Sequence, residues 1–484
     1  MNVLFVTLDQ FRADCLSGAG HPLVRTPNLD RLAEQGTRFS RHYSQSAPCS
    51  PGRACLYTGT YQMNNRVVAN GTPHDERLDN VALAARRAGY EPALFGYTDQ
   101  GVDPRAVRDP GDPRLSDYEG VLRGFDPVYQ VDSRQSRWLE WLSGQGHVVG
   151  DAATALATEG ERSVELSASA YQTDQLLEWL LSREGPWFAH MSFWRPHPPY
   201  AAAGSWAGAY DPADVELPIP PADDVHPLHT AALAMPQTAA PREEGAIRRL
   251  RAQYYGMVSH VDEQLGRIWA ALSELGMWSE TVIVVTADHG EQLGDHGLVE
   301  KLGYFEQSYA IPCIVRDPRR EGGRGQVVSH FTENVDILPT LCEVMGLDVP
   351  AQCDGLPLTP FLDGHEPPWW RDAASWEFDW RYLFIRGGED RWPWDRRLEE
   401  QNLAVRRTED LAYVQFGDGS WRCFDLVADP TWRTETTDAA RVLPLAQSML
   451  TWRSRNLDRT LTDMLLEDGD IGRLPPGVPF AAAR

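Results

Sequence analysis

A cysteine, a proline and an arginine occupy alternate positions near residue 50, where the segment 48–59 reads Pro-Cys-Ser-Pro-Gly-Arg-Ala-Cys-Leu-Tyr-Thr-Gly. A proline two positions after Cys49 favours a first helical turn, so Cys49 is predicted to begin a helix, where free N–H groups and the helix dipole favour an anion. Arg53 lies one turn later on the same face. The segment therefore predicts a site for a sulfate or phosphate group. The alternative is a buried cysteine that opens an ordinary helix, because free cysteine is usually buried.

Two apolar segments each lead into residues that could bind a metal ion. Residues 3–8 and 281–286 are short and β-branched, as central strands of a parallel sheet are. Asp9 follows the first segment, and Asp288 and His289 follow the second after one alanine. Open α/β sheets place their sites at the carboxyl ends of strands, so these side chains meet if the two strands are neighbours, and together they suit a divalent metal. Helix capping is the alternative, and it is more credible for two residues further on: Asp295 and His296.

A histidine and a lysine add basic groups to this prediction. His197 lies between Pro196 and Pro198, after a strand predicted at 187–194, and the prolines restrict the backbone around it. Lys301 follows in a glycine-rich segment, where a cation near the metal would help to hold an anionic ester. The alternatives are an exposed loop histidine and a solvated surface lysine.

Composition limits the class of protein. The chain has 484 residues, 42% of them hydrophobic, which suits one large α/β domain and a smaller one. A formal net charge of −24 argues against nucleic acid or an anionic membrane as a partner. Seven cysteines without paired spacing do not form a disulfide framework. The first apolar run is too short for a signal peptide and no stretch is long enough to span a bilayer, so we expect a cytoplasmic protein.

The elements that must position these side chains are predicted as an α/β fold, with a large, mostly parallel central sheet flanked by helices. Helices are predicted at 26–35, with Thr26 as N-cap, and at 80–88, 168–182, 243–276, 334–345 and 443–452. Further strands are predicted at 91–98 and 309–317, and an antiparallel set at 375–383, 402–406, 412–416 and 421–426. We predict a loop at 201–241 and a long insertion near the site mouth at 100–165. Residues 1–365 would be the catalytic domain and 366–484 a smaller α+β subdomain with a proline-rich arm at 474–480.

With the motifs in place, the chain resembles a sulfatase of the alkaline phosphatase superfamily, and most closely the phosphonate monoester hydrolases and phosphodiesterases within it. The stretches that carry the resemblance are 6–10, 48–59, 61–70, 89–98, 195–199, 287–301 and 458–462. The resemblance implies an alkaline-phosphatase-like sandwich. It also implies that Cys49 is oxidised to Cα-formylglycine. Sulfatases at large usually have two adjacent acidic residues after the first strand, whereas Asp9-Gln10 is similar to the phosphonate and phosphodiester branch.

The resemblance also implies a role for each site residue. One divalent metal would be bound by Asp9, Gln10, Asp288, His289 and modified Cys49. Arg53 and Lys301 would neutralise the nucleophile and a substrate oxygen, and His197 is the candidate acid for the leaving alcohol. The substrate would also contact Asn70 and Tyr97. Asp99 stands where that branch has a threonine, so its negative charge should alter substrate preference.

The predicted function is metal-dependent hydrolysis of phosphonate monoesters and phosphate diesters, with sulfate monoesters as promiscuous substrates. One hydroxyl of the hydrated formylglycine would attack, and loss of the second hydroxyl's proton would release the group by C–O cleavage. The donor set favours Mn²⁺ over Ca²⁺. The implied partners are a small anionic ester, a formylglycine-generating enzyme and further copies of the chain in a tetramer joined by the arm. The competing hypotheses are an arylsulfatase and a non-catalytic metal-binding relative with unmodified Cys49.

Overall fold

An eight-stranded sheet runs through the centre of the molecule. The computed structural model describes residues 1–117, 119–381, 400–457, 464–467 and 470–473. In chain order the strands of the sheet are β1 (Asn2–Leu8), β2 (Thr37–Tyr43), β3 (Pro92–Gly96), β4 (Asp126–Gln130), β5 (Phe188–Phe193), β6 (Thr281–Ala287), β7 (Cys313–Arg316) and β8 (Gln326–Glu333). Their order in space is β4-β3-β5-β1-β6-β7-β2-β8. Only β7 runs antiparallel to its neighbours, which confirms the prediction of a large, mostly parallel sheet.

The two central strands bring the predicted metal ligands together. β1 and β6 pair in parallel, with Leu8 opposite Ala287. Both strands are buried along their length, because neither face of a central parallel strand meets water. Asp9 and Asp288 therefore leave the sheet side by side at its carboxyl edge, as predicted.

Helices cover both faces of this sheet. In chain order the helices are α1 (Pro27–Glu34), α2 (Cys49–Thr58), α3 (Gln62–Asn65), α4 (Val81–Arg87), α5 (Ser136–Gly144), α6 (Ala152–Ala157), α7 (Ala168–Leu181), α8 (Pro227–Ala234), α9 (Glu244–Glu274), α10 (Ile337–Val344), α11 (Thr359–Leu362) and α12 (Ala439–Arg455). Leu4 and Val6 of β1 face a core built with α9, whereas Val3 and Phe5 face a second core built with α2, α4 and α10. The alternation of side chains along a strand thus supplies two apolar layers.

A smaller antiparallel sheet follows the central one, as predicted. Its strands β9 (Ala374–Asp379), β10 (Asn402–Arg407), β11 (Leu411–Phe416) and β12 (Trp421–Asp425) lie in the order β12-β11-β10-β9. A short hairpin of β13 (Met464–Glu467) and β14 (Asp470–Arg473) comes after α12. The predicted end of one strand at Leu383, the stretch 458–462 and the arm at 474–480 lie outside the described residues.

Three local predictions were wrong or incomplete. Thr26 makes no capping hydrogen bond; the N–H groups of Asn28 and Leu29 are instead bound at 3.0 and 2.8 Å by the carboxylate of Asp262 in α9. The segment 201–241, predicted as a loop, contains α8, whose Leu228 packs against the C-terminal sheet. The segment 100–165 is not only an insertion, because it supplies β4 to the edge of the central sheet. The domain limits 1–365 and 366–484 stay predictions. No helix in the described ranges has the length and apolarity to cross a bilayer.

Candidate active site

Helix α2 carries Cys49 as its first residue, as the position of Pro51 predicted. The amide oxygen of Asn70 accepts a hydrogen bond from the N–H of Ser50 at 3.0 Å, which satisfies one of the free donors at this helix start. The helix also needs a glycine at position 52. A Cβ there would lie 2.6 Å from the carbonyl oxygen of Asp288, so only glycine lets α2 approach the end of β6 this closely.

Four ligand atoms converge at this point. One atom each from Asp9, Cys49, Asp288 and His289 lies within 4.8 Å of the others, and all four residues are buried. The Cys49 Sγ atom is 3.3 Å from Nε2 of His289 and 4.0 Å from Oδ1 of Asp9. His289 Nε2 is also 3.7 Å from Oδ2 of Asp288. This set of oxygen, nitrogen and sulfur donors around one point has the size and chemistry of a single divalent-metal site.

The imidazole of His289 has one nitrogen available that could bind a metal. Its Nδ1–H donates to the carbonyl of Gly290 at 3.0 Å, so the lone pair is on Nε2, which faces Cys49. Burial, together with the charge of Lys301, lowers the pKa of His289 to about 3. The ring is therefore neutral at physiological pH, which is the form that binds metals.

Arg53 lies beneath these ligands and holds the two carboxylates. It is fully buried, and it donates from Nε to Asp288 at 2.9 Å and from Nη2 to Asp9 at 3.1 Å. Its Nη1 donates to Ser192 Oγ at 2.7 Å and to the Tyr97 carbonyl at 3.2 Å. The guanidinium therefore fixes both carboxylates, and the predicted contact of Arg53 with the nucleophile or the substrate stays a prediction.

The two aspartates have different charge environments. Burial would raise the pKa of Asp9, but its basic neighbours, His197 and Arg53 foremost, hold that pKa below the usual value. Burial and the negative charge of Asp9 raise the pKa of Asp288. Tyr97, predicted to contact the substrate, donates its hydroxyl to Asp9. A cation between the carboxylates would remove their mutual repulsion.

Lys301 reaches the site through Gln10. Its Nζ donates to the amide oxygen of Gln10 at 2.7 Å and lies 3.3 Å from the carboxylate of Glu300. The Gln10 amide nitrogen donates to Glu291. Lys301 and Glu291 thus hold the Gln10 side chain from both ends of its amide, while its own bond to a metal stays a prediction.

His197 is fixed by a buried ion pair. Arg195 donates from Nη1 to the carbonyls of His197 and Pro199, both at 2.8 Å, and its Nε donates to Glu159 at 3.1 Å. Arg195 and Glu159 are each 2% exposed. The His197 Nδ1–H donates to the Pro198 carbonyl at 2.8 Å, so Nε2 is the nitrogen left for a substrate. Burial, followed by Lys301, lowers the pKa of His197.

Asp99 lies next to the start of α2. It accepts a hydrogen bond from Ser50 Oγ at 3.0 Å and is 4% exposed. Burial raises its pKa to about 7. Its backbone has a φ of 54°, in the left-handed region that side chains seldom adopt. The carboxyl group of Asp99, in addition to that of Asp9, therefore borders the start of α2, where an anion would bind.

Comparisons with known proteins agree with this geometry. The family model described as Sulfatase matches residues 1–347, and the model described as N-sulphoglucosamine sulphohydrolase, C-terminal, matches residues 294–452. The chain belongs to the sulfatase family. The chain is 36% identical to the multifunctional alkaline phosphatase superfamily protein PehA of Trinickia caryophylli, over 95% of this chain and 96% of that protein. It is 26% identical to an arylsulfatase of Clostridium perfringens over 89% of this chain and 88% of that protein.

Solved structures show the same relationship. The phosphonate monoester hydrolase of Agrobacterium radiobacter is 39% identical, with a TM-score of 0.89 over 98% of this chain and all of that one. The phosphonate monoester hydrolase of Silicibacter pomeroyi is 34% identical, with a TM-score of 0.87 over 98% of this chain and 99% of that one. The resemblance to this family and the alkaline-phosphatase-like fold are therefore confirmed.

The family implies a divalent metal and a formylglycine, and the residues of this chain fit both groups. The converging donors described above suit one ion. Burial, followed by the charge of Asp9, raises the pKa of the Cys49 thiol well above its usual value. Oxidation of Cys49 would replace this buried thiol with an aldehyde, whose hydrate would supply hydroxyl groups at the same point.

Sequence reasoning missed several residues that build this site. Gly52, Glu159 and Arg195 act through contacts with residues far away in the chain, which no local pattern reveals. Glu291 lies within a segment that had been singled out, between His289 and Lys301, but nothing marked it as a partner of Gln10.

Proposed function

We propose that this enzyme hydrolyses phosphonate monoesters and phosphate diesters, and sulfate monoesters less efficiently. The observation that carries the proposal is the Asp9-Gln10 pair. Sulfatases at large usually have a second acidic residue after the first strand, and Gln10 stands at that position here. Because Gln10 is an uncharged amide, one carboxylate fewer lies beside the substrate. Its amide oxygen accepts a hydrogen bond from Lys301. The two phosphonate monoester hydrolases of similar structure support the same substrate class.

The metal ligands would be Asp9, Gln10, Asp288, His289 and modified Cys49. Mn²⁺ is proposed over Ca²⁺, since a neutral imidazole and a small number of carboxylates suit a transition ion better than a calcium ion. When bound, the ion supplies Lewis acidity to the reacting ester and lowers the pKa of the attacking hydroxyl. Metal analysis of the purified protein, with anomalous diffraction at the manganese edge, tests this. Calcium at full occupancy would contradict it.

The chain's own side chains would orient the substrate and handle its charge. Lys301 lies close enough to the ligands to neutralise an oxygen of the transferred group. Asn70 and Tyr97 border the same point and are proposed to contact the substrate. His197 presents Nε2 on a fixed loop and would donate a proton to the leaving alcohol. A bound anion would raise the pKa of His197 and so favour its protonated form.

Parallel assays decide the substrate class. The wild-type enzyme should hydrolyse 4-nitrophenyl phenylphosphonate and bis(4-nitrophenyl) phosphate with a higher kcat/KM than 4-nitrophenyl sulfate. A preference for sulfate by orders of magnitude would establish the arylsulfatase alternative, which the relative from Clostridium perfringens supports.

The modification of Cys49 is tested separately. Mass spectrometry of the tryptic peptide should show that residue 49 is lighter than cysteine, and Cys49→Ala should abolish turnover. Cys55→Ala is the matched control, because Cys55 lies in the same helix but outside the metal ligands. Full activity of Cys49→Ala would mean that the measured turnover comes from a contaminating hydrolase. It would favour the alternative that this chain is a non-catalytic, metal-binding relative.

Three finer proposals concern the cellular context. A formylglycine-generating enzyme is the proposed partner that oxidises Cys49. A cytoplasmic location is proposed because all seven cysteines lie among the described residues and none of them forms a disulfide. A tetramer joined by the C-terminal arm is proposed, and gel filtration of a chain ending at Thr462 tests it; an unchanged elution volume would exclude the arm.

A further inference from the structure

The segment 291–301, which leads from the end of β6 to Lys301, has a strained backbone. Leu293, His296 and Glu300 have φ angles of 52°, 57° and 67°, in the left-handed region that side chains seldom adopt. Such residues cost free energy and persist only where the surrounding structure fixes them. Other contacts must therefore hold this segment, which we call the lysine loop, in its observed course.

One buried carboxylate holds the lysine loop at both ends. Glu291 is fully buried, and its Oε1 accepts hydrogen bonds from the N–H of Leu293 at 2.7 Å and from the N–H of Glu300 at 2.8 Å. Both donors belong to residues in the left-handed region. Hydrogen bonds to a charged acceptor are stronger than those between neutral groups. A single oxygen atom thus closes the loop directly before Lys301.

The second carboxylate oxygen of Glu291 connects the loop with the catalytic site. It accepts a hydrogen bond from Nε2 of Gln10, and Oε1 of the same amide accepts from Nζ of Lys301 at 2.7 Å. The amide must have this orientation, because an ionised carboxylate only accepts hydrogen bonds and an ammonium group only donates them. A row of hydrogen bonds therefore runs from Lys301 through Gln10 to Glu291.

The backbone of Gln10 is itself fixed. Its φ angle is 66°, its N–H donates to Asp288 at 3.1 Å, and its carbonyl accepts from the hydroxyl of Tyr254 at 2.7 Å. Only the side-chain amide is therefore left to respond to a change at Glu291. The ammonium of Lys301 also lies 3.3 Å from the carboxylate of Glu300, which the lysine loop carries. Both of these contacts of Lys301 thus depend on Glu291.

We propose that Glu291 is a positioning residue of the catalytic site. It fixes the lysine loop and the Gln10 amide together, and in this way it sets the place of the Lys301 ammonium. Glu291 acts through these residues and does not touch the substrate. The role of Lys301 in neutralising an oxygen of the transferred group belongs to the proposed function, so the kinetic part of this inference rests on it. The placement of Lys301 does not.

Glu291→Gln keeps the shape of the side chain but reverses one hydrogen bond. The new amide oxygen can still accept from the two backbone N–H groups, so its NH₂ group faces Gln10. The Gln10 amide must then turn its oxygen towards position 291 and its own NH₂ group towards Lys301, where two donors meet. The double variant Gln10→Glu with Glu291→Gln places a donor opposite an acceptor at each contact again.

Amine reactivity reports the placement of Lys301 without any turnover. Lys301 is the only lysine among the 484 residues, so acetylation of the metal-free protein by acetic anhydride, followed by mass spectrometry, reads this side chain alone. The amino-terminal amine is the internal reference. Loss of an acceptor frees the amine, so its relative acetylation rate should rise by about tenfold in Glu291→Gln. The rate should return towards that of the wild type in the double variant.

Glu333→Gln is the matched control. Glu333 is also fully buried and accepts from a backbone N–H at 2.8 Å, but that N–H belongs to Ser375, outside the lysine loop. The relative acetylation rate of Lys301 should therefore stay as in the wild type. Thermal unfolding verifies that each variant is folded. Glu291→Asp, whose shorter side chain cannot reach the loop and Gln10 together, supplies the test if Glu291→Gln does not fold. Equal Lys301 rates in the wild type and in the folded Glu291 variant would overturn the proposal.

Kinetics tests the consequence for the proposed reaction. Lys301 would meet charge that develops in the transition state, so Glu291→Gln should lower kcat for bis(4-nitrophenyl) phosphate by about tenfold and change KM by less than about twofold. An unchanged kcat together with a faster acetylation of Lys301 would overturn the catalytic part of the inference. If the wild type does not hydrolyse the diester at all, the proposed function fails, whereas the acetylation rates still decide the placement of Lys301.

Discussion

Two buried clusters in the described part of the molecule each pair one arginine with two carboxylates: Arg53 with Asp9 and Asp288, and Arg371 with Glu333 and Asp336. We call them the catalytic cluster and the structural cluster. In the structural cluster each carboxylate oxygen has a hydrogen-bond donor. Asp336 accepts from both terminal nitrogens of Arg371 and from two backbone N–H groups. Glu333 accepts from the hydroxyl of Tyr61 at 2.6 Å and from the N–H of Ser375 at 2.8 Å.

The catalytic cluster has a different arrangement. Oδ1 of Asp9 accepts no hydrogen bond from an N–H or O–H donor among the described residues, and Cys49 Sγ and His289 Nε2 each lie 4.0 Å from it. The other three carboxylate oxygens of this cluster each accept a hydrogen bond, so Asp9 Oδ1 alone is left without a donor beside His289 Nε2, whereas every carboxylate oxygen of the structural cluster has one. A divalent cation satisfies such an arrangement. The comparison shows that unsatisfied acceptors around one point, rather than buried charge as such, distinguish a functional site from an ion pair that supports the fold.

The largest effect is expected for Asp288→Asn. It should lower kcat/KM by at least about a thousandfold, because it removes a charged ligand from the metal and weakens the stabilisation of the transition state. Metal content, measured on the purified variant, should fall in parallel. The unfolding temperature of the metal-free protein should not decrease, since the variant relieves the repulsion that raises the pKa of Asp288. Full metal occupancy in the variant would contradict the assignment of Asp288 as a ligand.

Asp336→Asn makes the same chemical change in the structural cluster and should have the opposite outcome. It weakens a satisfied, buried ion pair with Arg371, so the free energy of unfolding should fall by about 3 kcal/mol. The kcat/KM per folded molecule and the metal content should stay as in the wild type. Denaturant unfolding with activity measured on the same sample tests both parts. If Asp336→Asn lost activity without losing stability, the division into two clusters would be wrong.

Four residues of the candidate site could be predicted from local sequence patterns. Asp9, Asp288 and His289 could be found because an apolar strand delivers each of them to one sheet edge, and Cys49 because Pro51 marks a helix start. These are local patterns joined by one rule about parallel sheets.

The supporting residues could not be found because their roles depend on contacts across the fold. Asp262 caps a helix that begins 235 positions earlier at Pro27, and it takes the place of the nearby Thr26 that local rules favoured. Gly52 is fixed by the carbonyl of Asp288. β2 was not predicted, because its alternation of polar and apolar residues is short and only the neighbouring strands show that it belongs to the sheet.

A third buried ion pair shares features with both the catalytic and the structural cluster. Arg195 and Glu159 form a satisfied pair, but Arg195 also holds the carbonyl of His197. Glu159→Gln should loosen that loop and lower kcat/KM by about tenfold for substrates with poor leaving groups, which need a proton from His197. Substrates with a 4-nitrophenol leaving group need little acid assistance and should be affected less. The measurement is the dependence of kcat/KM on the pKa of the leaving group, which should match that of His197→Gln in direction. An equal loss for all leaving groups would mean that the pair only supports the fold.

The smallest effect is expected for Asp99→Asn, and it concerns discrimination rather than rate. Burial raises the pKa of Asp99 to about 7, so its carboxyl group is mostly neutral below that pH and charged above it. A charged Asp99 beside the start of α2 should repel a dianionic phosphate monoester more than a monoanionic diester. The ratio of kcat/KM for bis(4-nitrophenyl) phosphate to that for 4-nitrophenyl phosphate should therefore rise between pH 7 and pH 9 in the wild type, by about tenfold, and stay flat in Asp99→Asn. Ser50→Ala is the matched control, because it removes the hydrogen bond to Asp99 but keeps the charge, so its ratio should still rise. A flat ratio in the wild type would mean that the Asp99 charge does not act on the substrate. The carboxyl group of Asp99 would then have a purely structural role, like the carboxylates of the structural cluster.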